Sequence, residues 1–142
     1  MRTAGYSGTP LVKKLGIKPG QRICILNAPA SYSKSLGPLP VGVELKNRPG
    51  KDHSLDFIHI FTPKRKQLEQ EFSALAKALD YSGTLWVSWP KGSSGMQLDL
   101  NENVVRETGL KHGLVDVKVA AIDDVWSGLK FVYRVENRPG NV

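Results

Sequence analysis

The chain has 142 residues, enough for one domain with a two- or three-layer core. It carries 20 lysines and arginines against 13 aspartates and glutamates, a formal net charge of +7, and no apolar run approaches the ~18 residues of a membrane span. A single cysteine, Cys24, excludes an internal disulfide and a four-cysteine metal site. Because the first residues do not resemble a signal peptide, we expect a cytoplasmic protein of bacterial type.

The positive charge is concentrated in the first half of the chain. Residues 1–66 hold 12 basic and 3 acidic residues, a net charge of +9, whereas residues 67–142 hold 8 and 10, a net charge of −2. Such asymmetry can mark an anionic partner, a nucleic acid included, but solvated surface lysines are the simpler explanation. Aromatic residues are few and scattered, which argues against a base-stacking platform.

The chain opens with short elements. Thr9–Gly16 predicts a helix in which Thr9 caps the first amides, Pro10 occupies the first turn and Gly16 provides a left-handed stop. The elements that follow are a buried strand at Arg22–Leu26, a brief helix at Ser31–Leu36 and a weak strand at Val43–Lys46.

A strand–helix–strand unit occupies Asp56–Lys91. The apolar strand Asp56–Thr62 precedes a helix at Lys64–Leu79, whose apolar residues recur at three- and four-residue intervals. Tyr81–Gly83 is expected to end this helix, and Thr84–Trp89 to form the next strand. The unit indicates a parallel sheet, because parallel strands are joined by crossover helices.

The last third predicts a helix and a hairpin. Asn101 is expected to cap a helix that runs to about Lys111, with Gly109 as an internal weakness. Val115–Ile122 and Leu129–Val135 are predicted strands, and the short connection between them favours an antiparallel hairpin.

Together these elements predict an α/β domain at residues 1–135, followed by a disordered tail at 136–142. Its sheet is expected to hold about six mostly parallel strands and to end in the antiparallel hairpin. The link from Lys46 to Asp56 is short for a parallel crossover. Either that link is stretched, or the second strand is not a regular parallel member.

Parts of the chain resemble Rossmann-like SAM-dependent methyltransferases. The resemblance lies in Leu15–Arg22 with the strand after it, in the block Asp56–Val87, and in the closing hairpin. It implies a three-layer, methyltransferase-like fold. More narrowly, the chain resembles a family of short bacterial proteins of unknown function, in the segments Gly5–Leu11, Leu85–Lys91, Gly113–Lys118 and Trp126–Lys130.

The sequence departs from the methyltransferase pattern where SAM would bind. Those enzymes follow the first strand with an acidic residue and a Gly-x-Gly turn, whereas Asn27–Tyr32 contains no glycine and Pro29 removes a backbone donor. Asn47 and Arg48 stand where an acidic residue would hold the ribose. SAM is therefore disfavoured as a cofactor. A divergent methyltransferase that uses Asn27 and Ser93–Gly95 instead is an alternative.

Ligands of open α/β sheets bind at the carboxyl ends of the strands. Trp86 and Trp89 differ in parity along one strand, so we expect Trp86 in the core and Trp89 at that rim. The rim combines cations, aromatic rings, an amide and a carboxylate, which suits an anionic or planar small molecule better than hydrolysis. The candidate ligand-binding residues are Asn27, Arg48, Lys51, Trp89, Lys91, Asp123 and Trp126.

Several polar residues also have plain structural explanations. Asp123 and Asp124 suit a general acid/base pair, but adjacent acids in a hairpin turn are more often solvent-exposed. The amides of Lys91–Gly95 could cradle a phosphate, but the segment has no Walker spacing and a flexible loop is the simpler interpretation. His59 is expected to be a satisfied core histidine rather than a metal ligand, and Cys24 a packed thiol. The sequence predicts no metal site and assigns no catalytic residue.

We therefore predict a small methyltransferase-fold domain that binds an anionic small molecule or serves as an accessory protein. A divergent SAM-dependent methyltransferase and a nucleic-acid-associated basic protein are the alternatives.

Overall fold

A six-stranded sheet forms the centre of the protein in a computed structural model that describes residues 10–92 and 98–139. The strand order is β2-β1-β3-β4-β6-β5. β2, β1, β3 and β4 pair in parallel, and β6 runs antiparallel to both β4 and β5. The strands are β1 (Arg22–Leu26), β2 (Glu44–Lys46), β3 (Leu55–Phe61), β4 (Leu79–Pro90), β5 (Leu114–Ala121) and β6 (Trp126–Tyr133).

Helices cover both faces of this sheet. Helices α1 and α2 pack on one face, called the α1–α2 face, with Phe57, Phe61 and Trp86 of the sheet. Helices α3 and α4 pack on the other, the α3–α4 face, with Ile58 and Ile60. The three-layer α/β fold and the antiparallel C-terminal pair are thus confirmed. The helices are α1 (Leu11–Leu15), α2 (Tyr32–Leu36), α3 (Arg65–Ala78) and α4 (Glu102–Lys111), with a 3-10 helix at Val135–Asn137.

Two of the predicted helix boundaries are borne out. Gly16 ends α1 with a φ of 86°, and the side chain of Asn101 caps α4 by accepting a hydrogen bond of 3.0 Å from the Val104 amide. Helix α1 begins at Leu11 rather than at Pro10. The predicted cap Thr9, the Ser93–Gly95 loop and the final residues 140–142 lie outside the described residues.

The fourth strand differs from its prediction, because β4 begins at Leu79 and not at Thr84. Leu79 pairs with Leu55 and Thr84 pairs with Phe57, so the residues between them form a bulge in the ladder. A Cβ on Gly83 would lie 2.8 Å from the Asp56 carbonyl oxygen. Gly83 therefore permits close contact between two strands and does not stop the helix.

The second strand is a regular parallel member, paired with β1 through Arg22–Glu44 and Cys24–Lys46. The chain returns from β2 to β3 through residues 47–54, which contain no helix. Compared with the doubly wound order 3-2-1-4-5-6, the sheet has one strand fewer on this side. The short link therefore replaces a strand and its helices, and β2 is the edge.

A hydrogen-bonded chain of three buried side chains crosses the α1–α2 face. The Tyr32 hydroxyl lies 2.8 Å from His59 Nδ1, and His59 Nε2 lies 2.7 Å from the Ser88 hydroxyl. His59 and Ser88 are 0% exposed, and burial lowers the pKa of His59 to about 3. His59 is the satisfied core histidine that the sequence predicts. Likewise, burial raises the pKa of Cys24 to about 11, as expected of a packed thiol.

The described residues also bear on membranes, metals and the C-terminal tail. Among the described helices, none has the length and apolar character needed to cross a bilayer. No group of three or more potential metal ligands occurs in the part of the chain that the structure describes. In the segment predicted as a disordered tail, the side-chain amide of Asn137 donates to the Gly113 carbonyl over 3.0 Å, and the Arg138 guanidinium donates to the Tyr133 carbonyl.

Gly109 lies inside α4 because Phe131 of β6 needs the space beneath it. A Cβ at this position would lie 2.1 Å from Phe131 Cε1, so the helix approaches the sheet only with glycine there. We expect Gly109→Ala to lower the free energy of unfolding by about 1–3 kcal/mol through overpacking. This loss exceeds the gain of about 1 kcal/mol in helix propensity.

Urea unfolding followed by circular dichroism measures this effect. Glu107→Ala, at an exposed position of the same helix, is the matched control and should change stability by a few tenths of a kcal/mol. A Gly109→Ala protein as stable as the wild type would contradict the packing explanation.

His59 should make stability fall in mild acid. The folded-state pKa of about 3 lies below the ordinary 6.5, so between these values the unfolded chain binds a proton that the folded chain does not. The stabilisation is complete above pH 6.5 and is lost as the pH falls, by about 1.4 kcal/mol per unit. Unfolding free energies measured between about pH 7 and pH 5 should fall by about 2 kcal/mol from this group.

His59→Gln keeps hydrogen-bonding groups between Tyr32 and Ser88 but removes the titration, so its pH slope should be shallower. His112→Gln, at a partly exposed histidine, controls for the loss of a histidine as such. An unchanged slope in His59→Gln would show that another group causes the acid sensitivity.

Candidate functional site

The structure groups three of the predicted site residues at the carboxyl end of β4. Lys91 follows β4, and its amide donates to the Val125 carbonyl over 2.7 Å. Trp126 opens β6 opposite Pro90, and its partly exposed ring makes an edge contact with Phe61 at 5.1 Å. Asp123 Oδ1 accepts hydrogen bonds from the amides of Val125 and Trp126, both at 2.8 Å. The Asp123 carboxylate therefore stabilises its own turn.

Trp89 does not lie at the rim as predicted. Its side chain is 6% exposed and belongs to the core beneath α3 and α4, whereas Trp86 faces α1. The opposite orientation of the two rings is as predicted, and the Trp86 indole donates to the Leu15 carbonyl over 2.9 Å. The prediction that Trp89 lies at the rim is wrong because β4 continues to Pro90, which leaves Trp89 within the strand.

Asn27 directly follows β1, at the point where the strand order reverses. Its φ is 60°, a left-handed conformation that asparagine tolerates better than most side chains. The exposed residue is separated by β3 from Lys91, which follows β4, and by β3 and β4 from Trp126 of β6. The predicted rim is thus not one site.

Arg48 and Lys51 line a cleft on the link between β2 and β3. This basic cleft has a volume of about 410 Å³. It reaches Arg22 and Leu55, the first residues of β1 and β3, and so it lies toward the amino ends of these strands, away from Lys91. The lining residues are Arg22, Lys46, Asn47, Arg48, Pro49, Gly50, Lys51, Ser54 and Leu55.

Hydrogen bonds fix the frame of the basic cleft. Arg22 donates to both Asp56 carboxylate oxygens with its guanidinium, at 3.1 Å each, and with its amide at 2.8 Å. Burial alone would raise the pKa of Asp56, but the hydrogen bonds and charge of Arg22 outweigh it and lower the pKa. The link is held at its far end, where the His53 amide donates to the Lys77 carbonyl over 2.8 Å.

The charge of the basic cleft is only partly compensated. Arg22 pairs with Asp56, and Lys46 Nζ lies 3.6 Å from Glu44. Arg48 and Lys51 form no ion pair with any residue that the structure describes. No aspartate or glutamate is among the residues that line the cleft. The arrangement can attract and hold an anion.

A second hollow, the β1–β2 crevice, lies at the carboxyl ends of β1 and β2. Its volume is about 340 Å³, and its wall includes the Tyr32 ring, which His59 holds by its hydroxyl. Pro29 stands in this wall without an amide to donate. The lining residues are Ile25, Ala28, Pro29, Tyr32, Ser33, Leu45, Lys46 and Asn47.

The sequence predicted Arg48 and Lys51 as site residues but not Arg22 and Ser54, which line the same cleft. Arg22 was assigned only to a strand, and Ser54 lies in a link without a motif. The Tyr32–His59–Ser88 chain had no signal either, because its members are distant in sequence and meet only through the strand order.

Solved methyltransferases share this fold. A SAM-dependent methyltransferase from Aquifex aeolicus is 13% identical with a TM-score of 0.58, over 85% of this chain and 86% of its own. A putative type 11 methyltransferase from Sulfolobus solfataricus is 13% identical with a TM-score of 0.60, over 86% and 90%. Magnesium protoporphyrin IX methyltransferase from Synechocystis PCC 6803, with bound SAH, is 13% identical with a TM-score of 0.56, over 87% and 78%.

No protein-family model and no curated protein matches the chain. At such low identity the likeness to solved structures concerns the fold alone, and the chain has a methyltransferase-like fold.

Proposed function

We propose that the protein is a ligand-binding domain that holds an anionic small molecule in the basic cleft, without ordinary SAM chemistry. The observation that carries this proposal is the charge of the cleft: four cationic side chains line it, and no carboxylate does. The sequence places the anion at the carboxyl rim of the sheet. Because Arg48 and Lys51 line the cleft on the β2–β3 link, the ligand is proposed to bind there and not at the rim.

The shape of the cleft suits a phosphate- or carboxylate-bearing ligand. Its volume of about 410 Å³ is in the range of small-molecule sites. Arg48 offers a planar fork of donors for an oxyanion, and Lys51 offers a point charge. The Ser54 hydroxyl donates to the Lys51 carbonyl over 2.7 Å, and Gly50 takes a φ of 73°, so the turn that presents both cations is locally braced.

The lining favours binding over catalysis. Ser54 is the one hydroxyl among the residues that line the cleft, and it is bonded to the backbone. No histidine or carboxylate stands in this lining to act as a general base. An accessory or sensing role follows more directly from these groups than a reaction does.

Thermal-shift and calorimetric titrations with pyrophosphate and ADP test the proposal. We expect both anions to raise the melting temperature of the wild type. Arg48→Gln and Lys51→Gln should each weaken binding by about 10- to 100-fold, since a hydrogen bond to a charged group is worth about 1.5–3 kcal/mol. Lys66→Gln, at an exposed position of α3, is the matched control. No shift with either anion, or equal binding by the variants, would reject the proposal.

A divergent SAM-dependent methyltransferase is the second candidate, and the β1–β2 crevice supports it. The crevice lies at the carboxyl ends of two parallel strands, where open α/β sheets bind ligands. Asn27 stands beside it with a φ of 60°, a conformation that glycine provides in other turns. Against it, Pro29 donates no hydrogen bond there and Asn47 replaces the acidic residue that would hold a ribose.

Calorimetry with SAM and SAH decides between the two candidates. Under the first proposal, millimolar SAM gives no binding heat, while pyrophosphate does. Saturable SAM binding that is lost in Asn27→Ala and kept in Arg48→Gln would favour the methyltransferase instead.

A further inference from the structure

Five lysines form a row on the α1–α2 face, at a distance from the basic cleft. Lys118 of β5 stands directly opposite Lys130 of β6. Lys130 is also paired with Trp86, whose side chain faces α1, so Lys130 points to the same side. The lysine row consists of Lys91, Lys14, Lys118, Lys130 and Lys18.

Contacts with α1 place Lys14 and Lys130, a backbone hydrogen bond places Lys91, and Lys18 follows two residues after Gly16, the residue that adjoins Lys130. Lys14 Nζ donates to the Ala121 carbonyl over 2.6 Å, near the end of β5. Lys130 Nζ lies 3.7 Å from where a Cβ on Gly16 would be, at the end of α1. Lys91 is joined to the start of β6 through its bond to Val125. The row therefore extends across the β5–β6 pair from the carboxyl rim of the sheet.

The charges of the row are close together, and no described carboxylate forms an ion pair with them. Burial lowers the pKa of Lys14, and the positive charges of Lys118 and Lys91 lower it further. Burial likewise lowers the pKa of Lys130, together with the charges of Lys118 and Lys18. None of the five has an ion-pair partner among the described residues, and residues 1–9 and 93–97 contain no aspartate or glutamate.

The length of the row exceeds what a single phosphate group can contact. Lys91 adjoins Val125, just before β6, and Lys130 lies four residues into that strand from Trp126. At about 3.3 Å per residue this is a span of about 13 Å. Duplex nucleic acid carries a phosphate per strand every ~3.4 Å along its axis, so the span matches the rise of about four base pairs and brings several phosphates within reach.

We propose that the lysine row binds the phosphate backbone of a duplex nucleic acid without reading its sequence. Lysine is a point charge that suits phosphates, and base edges are read by other side chains. Protein interfaces are depleted in lysine and enriched in aromatic residues and arginine, so an acidic protein fits an all-lysine row less well. The proposal is independent of the basic cleft and its ligand.

Fluorescence anisotropy with a labelled DNA duplex of about 20 base pairs tests the proposal. We expect binding at low salt that weakens by about 10²- to 10³-fold between about 50 and 200 mM salt, since about five contacts give a log–log slope of about −4. Lys118→Gln, at the exposed centre of the row, should reduce the magnitude of this slope by about 1. Lys14→Gln should do the same, with circular dichroism and melting checking that the variant is folded.

Two control sets make the result specific to the row. Lys66→Gln and Lys111→Gln, exposed on α3 and α4 of the opposite face, should leave the slope unchanged. The double variant Arg48→Gln with Lys51→Gln should also bind the duplex like the wild type, which separates this proposal from the one on the basic cleft.

Four outcomes would overturn the proposal: no binding at low salt, binding that does not weaken with salt, equal losses in the controls, or a strong preference between two duplexes of different sequence. Displacement of the duplex by an equal concentration of polyglutamate would point to an acidic protein partner instead.

Discussion

The link between β2 and β3 constrains one whole side of this protein. Because residues 47–54 hold no helix, the chain leaves the edge strand and re-enters the sheet at β3 through a loop alone. The backbone and guanidinium of Arg22 clamp Asp56 of β3, which fixes the start of that strand beside β1. The basic cleft lies beside this loop, and the turn in the loop supplies Arg48 and Lys51.

The basic cleft and the β1–β2 crevice lie at different places along the edge of the sheet. The basic cleft opens beside the link, whereas the β1–β2 crevice lies where Tyr32 of α2 meets the strand ends. Tyr32 is held by His59, a residue that the protein keeps neutral by burying it between two hydroxyls. The basic cleft is thus lined by cationic side chains, whereas the β1–β2 crevice is built around the fixed ring of Tyr32 and around Pro29. A fold shared with methyltransferases does not require that they serve the same ligand.

Sequence patterns predicted the fold well where burial alone decides the structure. The apolar run of β3 and the spacing of Leu68, Phe72 and Leu75 in α3 are consequences of packing, and the structure places them as expected. Gly83 and Trp89 were misplaced because their positions depend on a strand bulge and on how far β4 extends. The lysine row could not be found at all, since its members come from four parts of the chain and only strand register brings Lys118 opposite Lys130.

Helix α1, which carries Lys14 of the lysine row, depends on packing against the sheet for its stability. With five residues, Leu11–Leu15, it is too short to be stable alone, and Lys14 brings a positive charge toward Lys118 and Lys91. Leu15 and Leu11 are buried against the sheet, and the Trp86 indole donates to the Leu15 carbonyl at the last turn. These contacts hold the helix against the repulsion of its lysines. An anion on the row would relieve that repulsion, so the same packing that tolerates the charges in the free protein would orient them for a phosphate backbone.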